Sequence, residues 1–267
     1  MAIDNARLAE DGRVHLSRVV EANRRLEELH RLRQEYLRNV SHEFRTPLTV
    51  IRGYAEYLRG AGAPDEAALK DVMRIVVESC DRVIDMVDTL IEVSRIEQGS
   101  AAQTLHVQTL DVREVLQSSL EPLRPQAEKK GLRLALELPD RPLRAQGDGG
   151  LLQQVVRKLV DNAIKYSAKD ARIAISGRDD SDHVLLLVKD EGVGIAAEHL
   201  PRIFEKFYMV DGGLTRRVGG TGVGLYLVRE IVRLHGGSVA VESEPGRGSL
   251  FTVRVPKTFT ARPGARP

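Results

Sequence analysis

Residues 171–190 read ARIAISGRDDSDHVLLLVKD, two apolar runs separated by a short polar turn. The first run, 171–178, has the pattern of a strand, and the second, 183–190, is apolar enough to be buried within a sheet. Two neighbouring strands joined by a tight turn form an antiparallel pair, which a repeating βαβ fold does not contain. This stretch therefore predicts an α+β sandwich.

The chain on both sides of this hairpin continues to mix helices with strands. In chain order, the expected elements are a helix at about 112–130, a strand at 132–138, a helix at 149–167, a helix ending at 235, and strands at about 238–243 and 249–255. Glycine-rich chain at 212–224 comes before the helix that ends at 235. Together these elements predict one α+β domain over residues 112–256.

The first hundred residues have a different pattern, in which apolar residues recur every three or four positions. One long helix is expected from about Leu26 to Gly60, and a second begins near Asp65 with a seven-residue rhythm. Such wide apolar seams are not buried by a two-helix hairpin alone. The sequence therefore predicts a homodimer that completes a four-helix bundle, with an intramolecular helical subdomain as the alternative.

These patterns divide the chain into five parts. They are an N-terminal helix or coiled coil at 1–30, a helical hairpin domain at 31–97, a linker at 98–111, the α+β domain at 112–256 and a disordered tail at 257–267. Residues 2–8, AIDNARL, resemble the closing helix of a sensory domain, which would make the first part a signalling helix.

Composition argues against several classes of partner. The 267 residues carry a net charge of +2, no tryptophan and 4% aromatic residues, so no nucleic-acid partner is expected. No window approaches 18 apolar residues and the N-terminus has no signal-peptide pattern, so no membrane contact is expected. The single cysteine, Cys80, excludes an internal disulfide, is expected in the core and fits a cytoplasmic location.

Residues 41–48, SHEFRTPL, place a histidine on the first long helix. His-Glu begins the zinc-protease motif H-E-x-x-H, but Thr46 stands where the second histidine is required. Helical periodicity turns His42 towards solvent, on the same face as Thr46. Glu43 is placed to hold one ring nitrogen as N–H and leave the other as a nucleophile. Pro47 is the expected place for the helix to bend. The alternative is a solvated histidine without a function.

Two glycine clusters in the α+β domain indicate a nucleotide site. The cluster at 190–194, DEGVG, follows a buried strand, so Asp190 is placed to accept a hydrogen bond from an exocyclic amine. The cluster at 219–224, GGTGVG, opens a helix whose free N–H groups suit phosphate. Leucine and tyrosine follow Gly224, which excludes a Walker loop, and a dinucleotide fingerprint fails on glycine spacing. Each cluster alone is also compatible with a tight turn.

The helix at 149–167 carries residues suited to a metal and phosphates. Asn162 and Lys165 are three positions apart on one face, and an amide oxygen beside an ammonium suits a Mg²⁺-phosphate group. Tyr166 is placed to lie against a base. A helix cap or solvent exposure is the alternative explanation for Asn162.

Taken together, the motifs resemble those of the sensor histidine kinases of bacterial two-component systems, over about residues 30–256. Residues 41–48 are similar to the family's H box, 158–167 to its N box, 190–194 and 220–224 to its G1 and G2 boxes, and 204–208 to its F box. The resemblance implies a dimerisation and histidine-phosphotransfer hairpin, joined to an ATP-binding domain of the gyrase and chaperone type. It also implies ATP and Mg²⁺ as cofactors and the receiver domain of a response regulator as partner.

The resemblance assigns roles to the residues of the H box. His42 would take the γ-phosphoryl group of ATP, and Glu43 would act as general base or orienter. Thr46 would position water for dephosphorylation of the regulator.

It likewise assigns roles in the ATP-binding domain. Asn162 would bind Mg²⁺, Lys165 would lie near the phosphates and Tyr166 near adenine, while Asp190 would bind the adenine amine. Five glycines would shape the pocket and a lid at about 196–218, and two basic residues are candidates for phosphate contacts: Gly192, Gly194, Gly220, Gly222, Gly224, Lys206 and Arg217.

Two positions depart from the family pattern. The first N-box position, often asparagine, is Lys158, which puts Mg²⁺ coordination there in doubt, and the position after Tyr208, often arginine, is Met209. A dimerisation or scaffold module with a vestigial nucleotide pocket is therefore one alternative function. A mechanical ATPase of the same nucleotide fold is another, although it does not require the H box on a solvent-facing helix.

Overall fold

The N-terminal region is a pair of long helices. The computed structural model describes residues 2–60, 65–98, 104–210 and 222–259. Helix α1 spans Ala2–Gly60, so it starts well before the apolar periodicity begins, and it continues through a buried Pro47. Helix α2 spans Glu66–Glu97 and is capped by Asp65, whose side chain accepts a hydrogen bond from the N–H of Ala68 at 2.7 Å. The bend expected at Pro47 stays a prediction.

The two helices leave much of their apolar surface exposed in the single chain. Leu32, Tyr36, Val72 and Val93 are buried. Exposed apolar side chains continue along both helices: Leu37, Leu48, Leu69, Met73, Val77, Ile84, Val87 and Ile91. Cys80, which was expected in the core, is exposed, because a two-helix hairpin is too thin to enclose it. None of the described helices is long and apolar enough to cross a membrane.

The chain enters the α+β domain through a strand that the sequence analysis placed in the linker. Strand β1 (Gln108–Asp111) pairs antiparallel with β3 (Arg144–Gly147). The last four residues of the expected linker 98–111 are therefore part of a small sheet. Both strands are short and carry no clear apolar alternation, which is why periodicity missed them.

The helix expected at 112–130 is broken into three pieces. Helix α3 spans Val112–Leu120, a 3₁₀ turn follows at Glu121–Leu123, and α4 spans Arg124–Lys129. Pro122 and Pro125 lack the N–H groups that would continue the α-helical hydrogen bonds, so the helix tightens and restarts there.

Five strands form the main sheet, in the order β2-β4-β5-β7-β6. The first pair is parallel, and the other three pairs are antiparallel. The hairpin predicted from residues 171–190 is the β4–β5 pair at the centre. The strands are β2 (Arg133–Glu137), β4 (Arg172–Asp180), β5 (His183–Asp190), β6 (Ser238–Glu244) and β7 (Gly248–Pro256).

Helices pack against this sheet and build the core. They are α3, α5 (Gly149–Tyr166) and α6 (Gly224–Leu234). In β5 the buried side chains alternate with less buried ones, as Val184, Leu186 and Val188 show. The arrangement confirms the predicted helical region followed by an α+β sandwich.

The helical hairpin touches the α+β domain through a shared apolar cluster. Tyr36 of α1 and Val93 of α2 belong to the same buried cluster as the core of the sandwich. The ring centroid of Tyr36 lies 4.1 Å from that of Phe207, a residue in the segment between β5 and α6. The two domains are therefore packed on each other rather than separated by the linker.

Candidate functional site

His42 is exposed on α1, as the helical periodicity predicts. The hydroxyl groups beside it bind the helix backbone: Ser41 Oγ donates to the carbonyl of Leu37 at 2.7 Å, and Thr46 Oγ1 donates to the carbonyl of His42 at 3.2 Å. Glu43 is half-buried, and no hydrogen bond or ion pair described for this helix joins it to the His42 ring. The imidazole is therefore open to solvent, and the expected orientation by Glu43 is not formed in this structure.

Helix α5 carries the three N-box residues near its C-terminal end. Asp148 caps its start by accepting the N–H of Leu151 at 3.1 Å. Lys165 Nζ forms an ion pair with Asp161 Oδ2 at 2.6 Å, so its ammonium already has an anionic partner on the same helix. Asn162 is half-buried. An amide oxygen in this position has the chemistry of a Mg²⁺ ligand that shares the ion with phosphates and water.

A lysine that the sequence analysis did not single out holds the end of α5. Lys130 Nζ donates to the carbonyls of Ile164 at 2.6 Å and of Lys165 at 2.8 Å. A cation here interacts favourably with the negative end of the helix dipole and fixes the turn that carries Tyr166. Burial lowers the pKa of Lys130. It comes from the α4–β2 junction, and no local signal connects that junction with α5.

Asp190 lies at the end of β5 and is buried. Its Oδ1 accepts two backbone N–H groups, from Gly192 at 2.9 Å and from Ser249 at 3.2 Å. Burial raises the pKa of the carboxyl, and the two backbone hydrogen bonds oppose that rise. Both bonds reach the same oxygen, so the described contacts leave Oδ2 as an acceptor for a ligand amine.

The glycines of the first cluster allow close backbone approach. A Cβ at Gly192 would lie 2.7 Å from Asp190 Oδ1 and 2.8 Å from the carbonyl oxygen of Tyr166. Gly194 has a φ of +69°, and a Cβ there would overlap the carbonyl oxygen of Glu244. The N–H of Val193 donates to the Tyr166 carbonyl at 3.2 Å. Tyr166, Asp190 and Gly192 are thereby brought together, as the sequence predicts.

One residue within the expected lid is held in an unusual backbone conformation. Phe207 has a φ of +72°, and its N–H donates to the carbonyl of Gly222 at 2.9 Å. Gly222 itself has a φ of +67°, and a Cβ there would lie 2.9 Å from the Phe207 carbonyl carbon. Lys206 Nζ lies 4.5 Å from the centroid of the Phe207 ring. The structure thus places Lys206 against Phe207 at the edge of the lid.

Three further predicted residues lie in the second glycine cluster or just before it. Gly224 begins α6, and a Cβ at this residue would meet no atom of the described residues within 4 Å. Arg217 and Gly220 lie outside the described residues. Gly222 and Gly224 together set the start of α6 at the place that the glycine pattern predicts for a phosphate-facing helix terminus.

Helix α1 and the end of α5 are within electrostatic range of each other. Burial raises the pKa of the Tyr166 phenol, Lys165 opposes the rise, and the carboxylates of Asp161 and Glu43 add to it. Glu43 is the residue after His42 on α1, whereas Tyr166 ends α5. The Glu43 carboxylate of α1 is therefore near enough to the end of α5 to affect the pKa of Tyr166.

These residues fit an adenine nucleotide and its metal. Asp190 Oδ2 supplies an acceptor for an exocyclic amine, Gly192 leaves room that a side chain would fill, and Asn162 supplies an oxygen ligand. Among the described residues, no three His, Cys, Asp or Glu side chains converge on a common point. A metal at Asn162 would thus take its other ligands from phosphates and water.

Two family models match consecutive parts of the chain. Residues 32–99 match the model described as "His Kinase A (phospho-acceptor) domain". Residues 147–258 match "Histidine kinase-, DNA gyrase B-, and HSP90-like ATPase". The first range contains His42, and the second contains Asn162, Asp190 and both glycine clusters.

Known proteins show the same two-part similarity. Sensor protein SrrB of Staphylococcus aureus is 32% identical over 229 residues, which are 86% of this chain and 39% of that protein. The chain spans about two fifths of the length of the curated relatives it matches.

Solved structures agree on the architecture. The Acinetobacter baumannii histidine kinase AdeS superposes with a TM-score of 0.58 at 26% identity, covering 81% of this chain and 98% of that one. Full-length ShkA in complex with AMPPNP gives a TM-score of 0.61 at 28% identity, covering 84% of this chain and 46% of that one.

Proposed function

The chain belongs to the sensor histidine kinases, and we propose that it uses ATP to phosphorylate itself on His42. We propose further that it passes the phosphoryl group to an aspartate in the receiver domain of a response regulator. ATP and such regulators are present in the cytoplasm, which is the location that this function requires.

In the proposed first step, a nitrogen of His42 attacks the γ-phosphorus of ATP. A P–N bond forms while the bond between phosphorus and the bridging oxygen breaks, and ADP leaves with that electron pair. The proton on the second ring nitrogen passes to Glu43 or to solvent. In the second step, an aspartate oxygen of the receiver attacks the phosphorus, and the P–N bond breaks.

The observation that carries the proposal is that the two carboxylate oxygens of Asp190 have different hydrogen-bond partners. Oδ1 is occupied by the N–H groups of Gly192 and Ser249, which fixes the carboxylate in place. Oδ2 would then accept a hydrogen bond from the exocyclic amine of adenine. Guanine has no amine at that position of the ring. The site therefore selects ATP over GTP, and it lies in the same chain as the exposed His42.

Asn162 would hold the Mg²⁺ that accompanies the nucleotide. The ion would neutralise charge on the phosphates, with Lys165 supplying further positive charge nearby once it exchanges Asp161 for phosphate. Gly222 and Gly224 would allow the lid to close over the phosphates, with Lys206, Gly220 and Arg217 as further contacts.

A homodimer is supported by the apolar side chains that α1 and α2 expose. Leu37, Leu48, Met73, Val77 and Ile84 are each close to half exposed or more in the single chain. Burying them between two hairpins gives the four-helix bundle expected from their heptad spacing.

Thr46 supports a second, phosphatase activity on the regulator. Its hydroxyl hydrogen is used by the carbonyl of His42, so its oxygen remains an acceptor that can hold a water one helical turn from the histidine. The proposed role is to orient that water towards the phosphorylated receiver.

The decisive experiment is incubation of the purified chain with ATP labelled at the γ-phosphate. We expect acid-labile, base-stable label on the wild type and none on His42→Gln. His30→Gln, a substitution of another exposed histidine on the same helix, is the matched control and should label normally. Undiminished labelling of His42→Gln would reject His42 as acceptor, and ATP binding without labelling would favour the scaffold alternative.

A further inference from the structure

Lys158 contacts α2 rather than the nucleotide pocket. Its Nζ donates a hydrogen bond to Thr89 Oγ1 at 3.1 Å, across 69 residues of sequence. The Thr89 hydroxyl in turn donates to the carbonyl of Asp85 at 2.8 Å. Because the hydroxyl hydrogen is already used, the oxygen presents a lone pair to the ammonium, so donor and acceptor roles agree along the whole chain of bonds.

The charges around this contact are complementary. Asp85, Thr89 and Glu92 are spaced four and three residues apart, which places them on one face of α2. Burial lowers the pKa of Lys158, and the carboxylates of Asp161, Glu92 and Asp85 oppose that change. A half-buried ammonium is stable only with anionic or hydrogen-bonding partners, and α2 supplies them.

The pKa of a carboxyl group on the α2 side of the contact is also shifted. Burial raises the pKa of Asp85, the neighbouring Asp88 and Asp81 add to the rise, and Lys158 and Arg157 oppose it. The cations of α5 therefore face an acidic stretch of α2.

The other polar and aromatic side-chain contacts described between the domains follow α1, while Val93 of α2 adds apolar packing to the shared cluster. Arg202 Nη2 pairs with Glu28 Oε1 at 2.7 Å, the Phe207 ring stacks on Tyr36, and Asn39 Nδ2 donates to the sulfur of Met209 at 3.4 Å. The α1 partners, Glu28 to Asn39, span about 16 Å along one helix. Contacts in a line along one rod do not by themselves fix the rotation of the attached domain about that rod, so the contacts with α2 set that rotation.

The Lys158 contact lies off that line, on the second helix. We propose that Lys158 is a positioning residue, which fixes the rotation of the ATP-binding domain about α1 and so aims the nucleotide pocket at the His42 region. The proposal rests on the kinase function proposed above.

Charge reversal and charge exchange test the proposal. The variants are Lys158→Glu, the double variant Lys158→Glu with Asp85→Lys, and Lys169→Glu as a control for charge reversal in the same domain. Lys169 is exposed in the turn after α5. Three quantities are measured for each full-length chain: the dissociation constant for Mg²⁺-ATP, the rate of His42 labelling at saturating ATP, and amide hydrogen exchange over residues 85–96.

We expect Lys158→Glu to bind Mg²⁺-ATP within about twofold of the wild type, while the labelling rate at saturation falls at least about tenfold. Exchange over residues 85–96 should accelerate. The charge-exchanged double variant should recover most of the lost rate, which a general loss of folding would not permit. Lys169→Glu should behave as the wild type does.

Other outcomes overturn the proposal in distinguishable ways. A dissociation constant raised tenfold with an unchanged rate at saturation would make Lys158 a nucleotide ligand. A faster labelling rate would make the contact a restraint on the kinase, and an unchanged rate and affinity would make it inert. If the wild type itself neither binds ATP nor labels His42, the kinase function fails, whatever Lys158 does.

Discussion

The turn around His42 and the pocket around Asp190 are built in opposite ways. His42 is exposed on a continuous helix, and the neighbouring hydroxyl groups bind helix carbonyls rather than the imidazole. Asp190 is buried, and two backbone N–H groups, one from the turn after β5 and one from the start of β7, fix its carboxylate. A phosphoacceptor must be reached by two different partners in turn, whereas a base-recognition site gains from being held before its ligand arrives. The difference predicts that the helix tolerates substitution and the pocket does not.

The largest contrast is expected from adding one methyl group in each region. Gly194→Ala places a Cβ onto the Glu244 carbonyl at a φ that L-residues rarely adopt, and should destabilise the α+β domain by ~2 kcal/mol or more. Gly53→Ala on α1 has nothing within 4 Å and should stabilise the helix by about 0.5–1 kcal/mol. Urea unfolding measures both, and equal effects at the two sites would remove the contrast.

A smaller, binding-specific loss is expected for Asp190→Asn. The amide oxygen can still accept both backbone N–H groups, but an NH₂ group replaces Oδ2 and faces the adenine amine donor to donor. Removing the carboxyl also relieves the cost of burial that raises its pKa. We expect ATP affinity to fall by about 30-fold or more while the unliganded fold is at least as stable.

Isothermal titration with ATP and urea unfolding separate these two effects. Glu191→Gln, at the exposed neighbour whose Oε2 accepts the N–H of Arg172 at 2.9 Å, is the control and should bind ATP normally. Wild-type affinity in Asp190→Asn would contradict the assigned role of Oδ2.

The pH dependence of stability should report the buried histidine of the α+β domain. His235 Nε2 accepts the N–H of Asp148 at 2.9 Å, and its Nδ1–H donates to the carbonyl of Ile231 at 2.8 Å. Burial lowers the pKa of His235 below its ordinary value near 6.5. Below pH 6.5 the unfolded chain therefore binds the proton more readily, so stability is full above that pH and is lost as pH falls through it.

Urea midpoints between pH 5 and pH 8 measure this effect, which should appear as a loss of stability towards pH 5. His235→Gln should be less stable at neutral pH but should show a flatter profile in the acid range. An unchanged profile in His235→Gln would assign the acid sensitivity to other groups.

The smallest effect on stability and labelling is expected at Thr46. Its hydrogen bond to the His42 carbonyl is exposed, so Thr46→Val should change the free energy of unfolding by less than about 0.5 kcal/mol. Labelling of His42 should stay within about twofold, while release of phosphate from a phosphorylated receiver should fall clearly. Thr49→Val, at a hydroxyl that makes the same type of bond to the carbonyl of Arg45, is the control. An equal loss of phosphatase in both variants would argue against a specific role for Thr46.

Elements with a strong local sequence pattern could be predicted, whereas elements that depend on a distant partner could not. The run HVLLLVKD and the helix around Asn162 carry strong local periodicity, so strand, helix and glycine turns were placed correctly. Strands β1 and β3, of four residues each, exist because they pair with each other, which local sequence does not encode. The prolines at 122 and 125 were visible signals for the break between α3 and α4 that the helical pattern obscured.

In the site, the residues were easier to predict than their partners. Asp190 was identified from its strand end, but Ser249, whose backbone N–H helps to fix it, comes from strand β7, 59 residues later. Lys130 and Lys158 act across the fold on α5 and α2, and no spacing rule connects such pairs. The left-handed conformation of Phe207 likewise depends on Gly222, whose carbonyl accepts its N–H.

Because α1 continues through 59 residues, the length of the helix fixes both the distance and the angle between its start and His42. From Ala2 to His42 the rise is about 60 Å, and each residue adds about 100° of phase. Deleting seven residues near the start of α1 would shorten the helix by about 10 Å but turn His42 by only about 20° relative to that start. Deleting two residues would turn it by about 160°. Whatever acts on the start of this helix therefore communicates with the histidine chiefly by angle, and heptad-sized changes in length should pass almost unnoticed.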